Sequence, residues 1–166
     1  ADATRMERPY PPLGERQSLA ATRAARCGCA LPDDLMMTRE ELRSLANAGM
    51  EIGGHTVSHP ILARLAAADA REEMANGRDQ LEAIVGQPVR LFAYPNGKPN
   101  VDYTAEHAHM AKALGFVAAC STAAGAAKMG DSPHELPRFT PWDRTAVRWG
   151  ARLARNMRTR VVRADE

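Results

Sequence analysis

Short apolar runs alternate with helical segments along most of the chain, and this alternation constrains the fold more than any other feature. Four runs are typical of buried strands, at residues 50–53, 89–94, 116–120 and 136–140. Segments with helical periodicity or helix-capping signals lie between and around them, at residues 38–49, 69–85, 102–114 and 143–153. Strands that alternate with helices usually pair in parallel, because the crossing helix returns the chain to the same end of the sheet. The sequence therefore predicts an α/β fold with a mostly parallel sheet.

The predicted helices begin and end at residues suited to those positions. Thr38, followed three residues later by Glu41, has the pattern of a capping box. Asp69 and Asp143 are the predicted N-caps of two later helices. Glycine follows three of the helices, where a left-handed residue ends a helix, at Gly49, Gly86 and Gly115.

The chain has 166 residues, which suits one domain. Residues 1–34 are rich in proline near their start and are predicted to be an irregular N-terminal segment, with one short alanine-rich helix at 18–26. Residues 35–166 are predicted to form the domain itself. The N-terminus lacks the apolar region of a signal peptide, and the compartment stays open.

Composition excludes several classes of function. A net charge of +2 is too small to predict a nucleic acid or an anionic membrane as the partner. No apolar run is long enough to span a bilayer, and three cysteines do not form a disulfide framework. Basic residues near the C-terminus are interpreted as a solvated helix face and a loose tail, namely Arg152, Arg155, Arg158, Arg160 and Arg163.

Two histidines, His55 and His59, follow a predicted strand and a pair of glycines. Imidazole is the commonest protein ligand for zinc, and two imidazoles at this spacing point the same way if the backbone makes about one helical turn. No glutamate follows His55, which excludes the zinc-protease helix. The alternative is a pair of histidines satisfied by ordinary hydrogen bonds.

A second polar loop follows the next predicted strand, at Tyr94-Pro95-Asn96-Gly97. Loops that follow parallel strands lie at the same end of the sheet, so this loop is expected to converge on the histidines. A tight turn containing glycine can aim backbone N–H groups into a site, where they stabilise an oxyanion. The sequence thus predicts a metal and an oxyanion site side by side.

Three motifs together resemble the polysaccharide deacetylases of the NodB type, also called carbohydrate esterase family four. They are His55-Thr56-Val57-Ser58-His59-Pro60, Leu91-Phe92-Ala93-Tyr94-Pro95-Asn96-Gly97 and Leu136-Pro137-Arg138-Phe139-Thr140-Pro141-Trp142. The resemblance runs from about residue 35 to residue 157 and implies a distorted (β/α) barrel with parallel strands. Members of the family remove N- or O-acetyl groups from polysaccharides with a divalent metal, held by one aspartate and two histidines. The resemblance implies an acetylated polysaccharide or oligosaccharide as substrate.

The resemblance also implies roles for individual residues. His55 and His59 would bind the metal, with zinc expected and cobalt, nickel or manganese left open. The backbone N–H of Asn96 stands where the family has its oxyanion donor, after the proline of a Pro-Tyr-Gly signature. The substrate groove would have one wall from the same loop and an opposing wall from the third motif, formed by Tyr94, Pro95, Gly97 and Trp142.

Two departures from the family pattern concern catalytic groups. Ala93 occupies the position of the arginine that orients the family's catalytic base, and Arg138 is predicted to supply that charge instead. The family's Thr-Phe-Asp-Asp-Gly stretch, which carries the base and the third metal ligand, does not occur. The only paired aspartates, at residues 33–34, follow no strand. We therefore expect an incomplete barrel that lacks its N-terminal strands, binds zinc weakly and has little or no deacetylase activity.

The late Leu-x-His motif of the family, which carries a general acid, is not evident either. The spare histidines are His107 and His109, predicted to lie exposed on a helix, and His134, in a loop. Two alternatives to an enzyme remain: a non-catalytic carbohydrate-binding or interaction domain on the same fold, and a fragment with no independent role.

Overall fold

A computed structural model describes residues 13–28, 35–140 and 142–164. The chain divides into two compact units, Ala1–Thr38 and Arg39–Glu166. Helix α1, Leu13–Cys27, belongs to the first unit and is longer than the helix predicted at 18–26. The paired aspartates at 33–34 lie outside the described residues.

The second unit alternates helices with the strands of one small parallel sheet. Its helices are α2 (Arg39–Asn47), α3 (Ala67–Val85), α4 (Ala105–Ala113) and α5 (Ala146–Arg158), and its strands are β1 (Gly53–Gly54), β2 (Leu91–Ala93) and β3 (Ala118–Cys120). Two 3₁₀ turns, Leu62–Arg64 and Pro133–Glu135, complete it. The strand order is β1-β2-β3, and both pairings are parallel. The predicted α/β architecture is confirmed, and the strands of the described residues form an open sheet.

The strands are shorter than predicted, for reasons visible at their ends. The predicted strand 50–53 is wrong in its bounds: the Met50 N–H still donates to Leu45 O of α2 at 3.1 Å, and strand pairing begins only at Gly53. The predicted fourth strand, 136–140, is reduced to a single parallel bridge between Leu136 and Cys120.

Two of the predicted N-caps are also wrong. Helix α3 starts after Ala66, so Asp69 lies in its first turn. There its carboxylate still stabilises the helix, because it lies near the positive end of the helix dipole. Helix α5 starts after Thr145, and Asp143 instead forms an ion pair with Arg152. The predicted end of α3 is correct, because Gly86 adopts a left-handed conformation with φ of 71°.

Aromatic side chains fill the core behind the sheet. Phe92 is 2% exposed, and its ring centroid lies 5.3 Å from that of Tyr94 and 5.1 Å from that of Phe116. The Tyr94 and Tyr103 rings stack with centroids 3.9 Å apart and planes 5° apart. A Cβ atom on Gly54 would lie 3.3 Å from the Phe92 ring, so glycine lets β1 approach this cluster closely.

The C-terminal segment after α5 packs against the domain, so the prediction of a loose tail is wrong. Val161 is buried. The Arg163 guanidinium pairs with Asp131 at 2.8 Å, and the Ala164 N–H donates to the buried Glu135 carboxylate at 2.8 Å. None of the described helices is both long and apolar enough to cross a lipid bilayer.

His107 is buried, contrary to the prediction, whereas His109 is exposed as predicted. The Nδ1 of His107 accepts a hydrogen bond from the Thr104 N–H at 3.1 Å, which completes a capping box at the start of α4. Burial lowers the pKa of His107, against the opposing charge of Glu106. Protonation would also remove the acceptor from Nδ1, so acid should weaken this helix start.

We expect His107→Gln to reduce the loss of stability in acid. Because the pKa of His107 is lower in the folded than in the unfolded chain, its contribution is present above the ordinary histidine pKa of about 6.5 and is lost as pH falls through the folded pKa. Glutamine keeps an acceptor at this capping-box position but does not titrate. Urea unfolding above and below the ordinary histidine pKa measures the effect. His109→Gln, a substitution of the exposed histidine on the same helix, is the control. An equally steep loss in wild type and His107→Gln would contradict this prediction.

Candidate functional site

The two histidines of the first motif lie together at the end of β1. The His55 Nδ1 lies 2.7 Å from the carbonyl oxygen of Ala93, the last residue of β2. A carbonyl oxygen only accepts, so Nδ1 carries the proton and Nε2 keeps the lone pair that a metal would use. The His55 and His59 ring centroids are 4.8 Å apart, with planes at 75°. Both residues are exposed, so a cation can reach them from solvent.

The backbone between the histidines is held in an unusual conformation. Thr56 and His59 have positive φ angles of 64° and 55°, which is costly for a β-branched residue such as threonine. The Thr56 hydroxyl accepts a hydrogen bond from the His59 N–H at 3.1 Å. Such a loop persists only if neighbouring structure supports it.

Glu73 of α3 supplies that support. Its carboxylate accepts hydrogen bonds from the N–H groups of Val57 and Ser58, at 3.0 and 2.9 Å, and from the Ser58 hydroxyl at 2.7 Å. One turn further along α3, Gly77 lies against Thr56, and a Cβ there would be 3.0 Å from the Thr56 carbonyl carbon. Sequence reasoning missed both residues. The sequence signal that could have pointed to them is their spacing of four residues, which places both on the side of α3 that also carries the buried Met74.

The loop after β2 presents Asn96. Asn96 and Gly97 have positive φ angles of 56° and 77°. Thr122 fixes the turn from the next loop, because its N–H donates to Gly97 O and its hydroxyl donates to Asn96 O, both at 2.8 Å. Asn96 is exposed. Within the described part of the chain its N–H has no acceptor, so this group is available to a ligand.

The other predicted groove residues of this loop are buried, which corrects the prediction that they form a substrate wall. Tyr94 is 1% exposed, stacks on Tyr103 and donates from its hydroxyl to His134 O at 2.8 Å. Pro95 is also fully buried. A Cβ on Gly97 would lie 3.0 Å from Thr122 N. The side chain of a residue at the end of a strand can point into the core, and here the buried neighbours of Asn96 fix the loop that presents it.

The charge of Arg138 acts on His55. Partial burial is the largest cause that lowers the pKa of His55, the hydrogen bond to Ala93 opposes it, and the charges of His59 and Arg138 lower it further. A lowered pKa keeps the imidazole neutral near pH 7, which is the form that binds a metal. The charge of Arg138 in the third motif therefore contributes to the electrostatics at His55.

Trp142 of the third motif lies beside Arg138. It is 79% exposed and lines, with Arg138 and Thr122, a cavity of about 240 Å³. Thr122 also holds the Asn96 turn, so this cavity adjoins that loop. That Trp142 forms the wall of a substrate groove opposite the Asn96 loop remains a prediction.

The spare histidines do not join the pair. His134 is buried, and its Nε2 lies 2.9 Å from Phe116 O. His107 caps α4, and His109 is exposed on the same helix. In residues 13–28, 35–140 and 142–164, no three histidine, cysteine, aspartate or glutamate side chains are grouped as a metal site would require.

Comparison with known proteins shows the same architecture elsewhere. The Streptococcus pyogenes deacetylase PplD, solved with acetate, matches with a TM-score of 0.59 and 24% identity over 64% of this chain and 46% of its own. IcaB from Ammonifex degensii matches with a TM-score of 0.59 and 23% identity over 73% of this chain and 53% of its own. At these identities the likeness establishes the fold, and it confirms the predicted incomplete barrel of the NodB type.

Sequence relatives agree with the structural ones. YxkH of Bacillus subtilis (strain 168), whose name gives it as a candidate polysaccharide deacetylase, is 26% identical over 102 residues, 61% of this chain and 35% of its own length. The chain therefore spans about a third to a half of the relatives it matches. The family model described as polysaccharide deacetylase matches residues 11–119. Because this match covers well over half of the sequence, the chain belongs to the polysaccharide deacetylase family.

Proposed function

We propose that this chain carries the two-histidine and oxyanion part of a metal-dependent active site that removes acetyl groups from acetylated amino-sugar polymers. The observation that carries the proposal is the hydrogen bond of 2.7 Å between the His55 Nδ1 and the Ala93 carbonyl oxygen. It joins the end of β1 to the end of β2 and so ties the histidine pair to the loop that presents Asn96. Family membership supports the reaction class.

The residues present fit one half of a metal site. Two imidazoles lie with ring centroids 4.8 Å apart, and His55 is oriented through its other nitrogen by a backbone carbonyl, as metal-binding histidines usually are. His55 and His59 would hold a divalent cation, with zinc preferred for imidazole ligands and cobalt, nickel or manganese also suited. When bound, such a cation lowers the pKa of water and polarises an acyl oxygen.

The other groups of the site act on the substrate. The backbone N–H of Asn96, an exposed residue, is proposed to donate to the acetyl oxygen as that atom gains negative charge during attack. The Arg138 guanidinium adds positive charge beside the histidines. Trp142, which is 79% exposed, is proposed to contact a sugar through its ring.

The third metal ligand and the general base are proposed to come from outside the described residues. In the family these groups are the two aspartates of the first motif, and the described part of the chain places no carboxylate group of this kind with the histidines. With two ligands instead of three and no base, the chain by itself should bind zinc weakly and release little acetate.

We expect zinc to shift the NMR signals of the His55 and His59 rings at high micromolar concentration or above, while His109 stays unchanged. Acetate release from an acetylated amino-sugar oligomer should stay near background with or without zinc. Replacement of His55 by alanine should remove the response of His59 to zinc. The NMR titration tests zinc binding by the histidine pair, and the acetate assay tests catalysis by the chain.

Two results would contradict it. Turnover within the ordinary enzyme range of about 1–1000 per second would show that the base and third ligand are present in this chain. A zinc titration that leaves both rings unchanged would show that the histidine pair is not a metal site.

A second candidate function is a non-catalytic carbohydrate-binding domain. It is favoured by the exposed Trp142 beside the 240 Å³ cavity, which needs no metal to bind a sugar. This alternative expects saccharide binding that is unaffected by a chelator and survives replacement of His55.

A further inference from the structure

One face of α5 lines the cavity next to the candidate active site. Residues 152, 155 and 156 recur at the three- and four-residue spacing of a single helix face, and they line the cavity of about 240 Å³ together with Thr159, which follows the helix. The remaining wall comes from the third motif and the loop after β3, namely Thr122, Ala124, Arg138, Phe139, Thr140 and Trp142. The cavity therefore contains three arginines and one exposed tryptophan.

Asn156 fixes α5 against the loop after β3. Its side-chain oxygen accepts from the Gly125 N–H and its amide donates to Gly125 O, both at 2.8 Å, and Asn156 is buried. Gly125 has a φ of 129° and lies so close to Val161 that a Cβ would be 2.5 Å from that side chain. This two-point contact sets the position of the helix face, so the arginines on it belong to a defined wall.

The cavity wall has an excess of positive charge. Arg152 is bound by both oxygens of the Asp143 carboxylate. Within the described residues, neither Arg138 nor Arg155 has a carboxylate partner. The hydrogen bond and charge of Arg152, with the charges of Arg148 and Arg155, lower the pKa of Asp143, which shows the sign of the field there. Two guanidinium groups are thus left to bind an anion, which they do through paired N–H donors.

The basic cavity adjoins the loop that presents Asn96. Thr122 lines the cavity and holds Asn96 through the hydrogen bond of 2.8 Å to the Asn96 carbonyl oxygen. Arg138 lines the cavity and acts electrostatically on His55. A group bound in the cavity and an acetyl group at Asn96 can therefore belong to the same saccharide.

We propose that the cavity formed by Arg138, Arg152, Arg155 and Trp142 binds an anionic substituent, a carboxylate or a phosphate, on the saccharide substrate. The saccharide part of this inference rests on the proposed function. Arg138 and Arg155 would pair with the anion, Arg152 would stay paired with Asp143, and the tryptophan ring would contact the sugar that carries the anion. The substrate class is then an acidic acetylated polymer and not a neutral one.

Calorimetric titration without added metal tests the inference. The probes are an oligomer of N-acetylglucosamine, an oligomer of equal length in which N-acetylglucosamine alternates with a uronic acid, and a phosphorylated N-acetylglucosamine oligomer. One or both acidic oligomers should bind roughly tenfold more tightly than the neutral one, as expected for a charge-assisted pair, and the stronger of the two identifies the anion. Arg155→Gln should remove most of this preference.

The matched control is Arg158→Gln, which removes an equal charge from the same helix but not from the cavity wall. It should keep the preference. Equal binding of neutral and acidic oligomers would overturn the inference, as would an equal loss in Arg155→Gln and Arg158→Gln. His55→Ala should also keep the preference, so that failure of the metal site and failure of the anion site are separate results.

Discussion

Replacement of Glu73 by alanine is expected to weaken zinc binding about tenfold to a hundredfold, the usual effect of losing a group that orients metal ligands. The Glu73 carboxylate accepts three hydrogen bonds from Val57 and Ser58, inside the loop that joins His55 to His59. That loop has positive φ angles at Thr56 and His59, so without the carboxylate it should relax toward commoner conformations. The two imidazoles would then no longer be held together.

The measurement is a zinc titration followed by the ring signals of His55 and His59, which is suited to weak binding. Glu72→Ala is the matched control, because Glu72 is the neighbouring exposed carboxylate of α3 and bonds only to Asn76 among the described residues. Glu73→Gln keeps one acceptor oxygen and should fall between wild type and Glu73→Ala. An unchanged zinc affinity in Glu73→Ala, with the fold intact by circular dichroism, would show that Glu73 does not position the loop.

Replacement of Phe92 by alanine is expected to lower the free energy of unfolding by about 3–5 kcal/mol. Phe92 is 2% exposed and lies between Tyr94, Phe116 and Gly54, so its removal leaves a cavity where β1, β2 and the aromatic cluster meet. Domains are stable by about 5–15 kcal/mol in total, so the variant should be close to unfolding at room temperature.

Urea denaturation followed by circular dichroism measures this loss. Val117→Ala is the control: Val117 precedes β3, is 57% exposed, and should change the free energy of unfolding by less than about 1 kcal/mol. Equal small effects of both substitutions would mean that the aromatic cluster is not the core of the domain.

The order of helices and strands was readable from the sequence because it depends on local signals. Gly86 ends α3, and the alternation of helical and apolar segments predicts parallel strands. Strand and helix limits were not readable to the residue. Met50 belongs to the end of α2 through its bond to Leu45, and Asp143 pairs with Arg152 instead of capping α5. The first is a local bond that closes the end of a helix, and the second depends on a partner nine residues further along the chain.

The candidate site divides in the same way. His55, His59 and Asn96 could be proposed from the sequence because their residue types and order along the chain carry the signal. Tyr94 was misassigned, because burial against Tyr103 is decided by a partner nine residues away and by the direction of the strand end. Glu73 was missed because its position on the buried side of α3 does not tell which group of a distant segment its carboxylate contacts.

By itself the sequence determined the family, the parallel α/β order and the histidine pair, since each follows from residue types at fixed spacing. Only the tertiary structure decided that Glu73 supports the loop between His55 and His59 and that Tyr94 belongs to the core. It also placed Arg152 and Arg155 in a cavity wall beside Arg138. The physical reason is that contacts between residues distant along the chain depend on packing geometry, which no local pattern specifies.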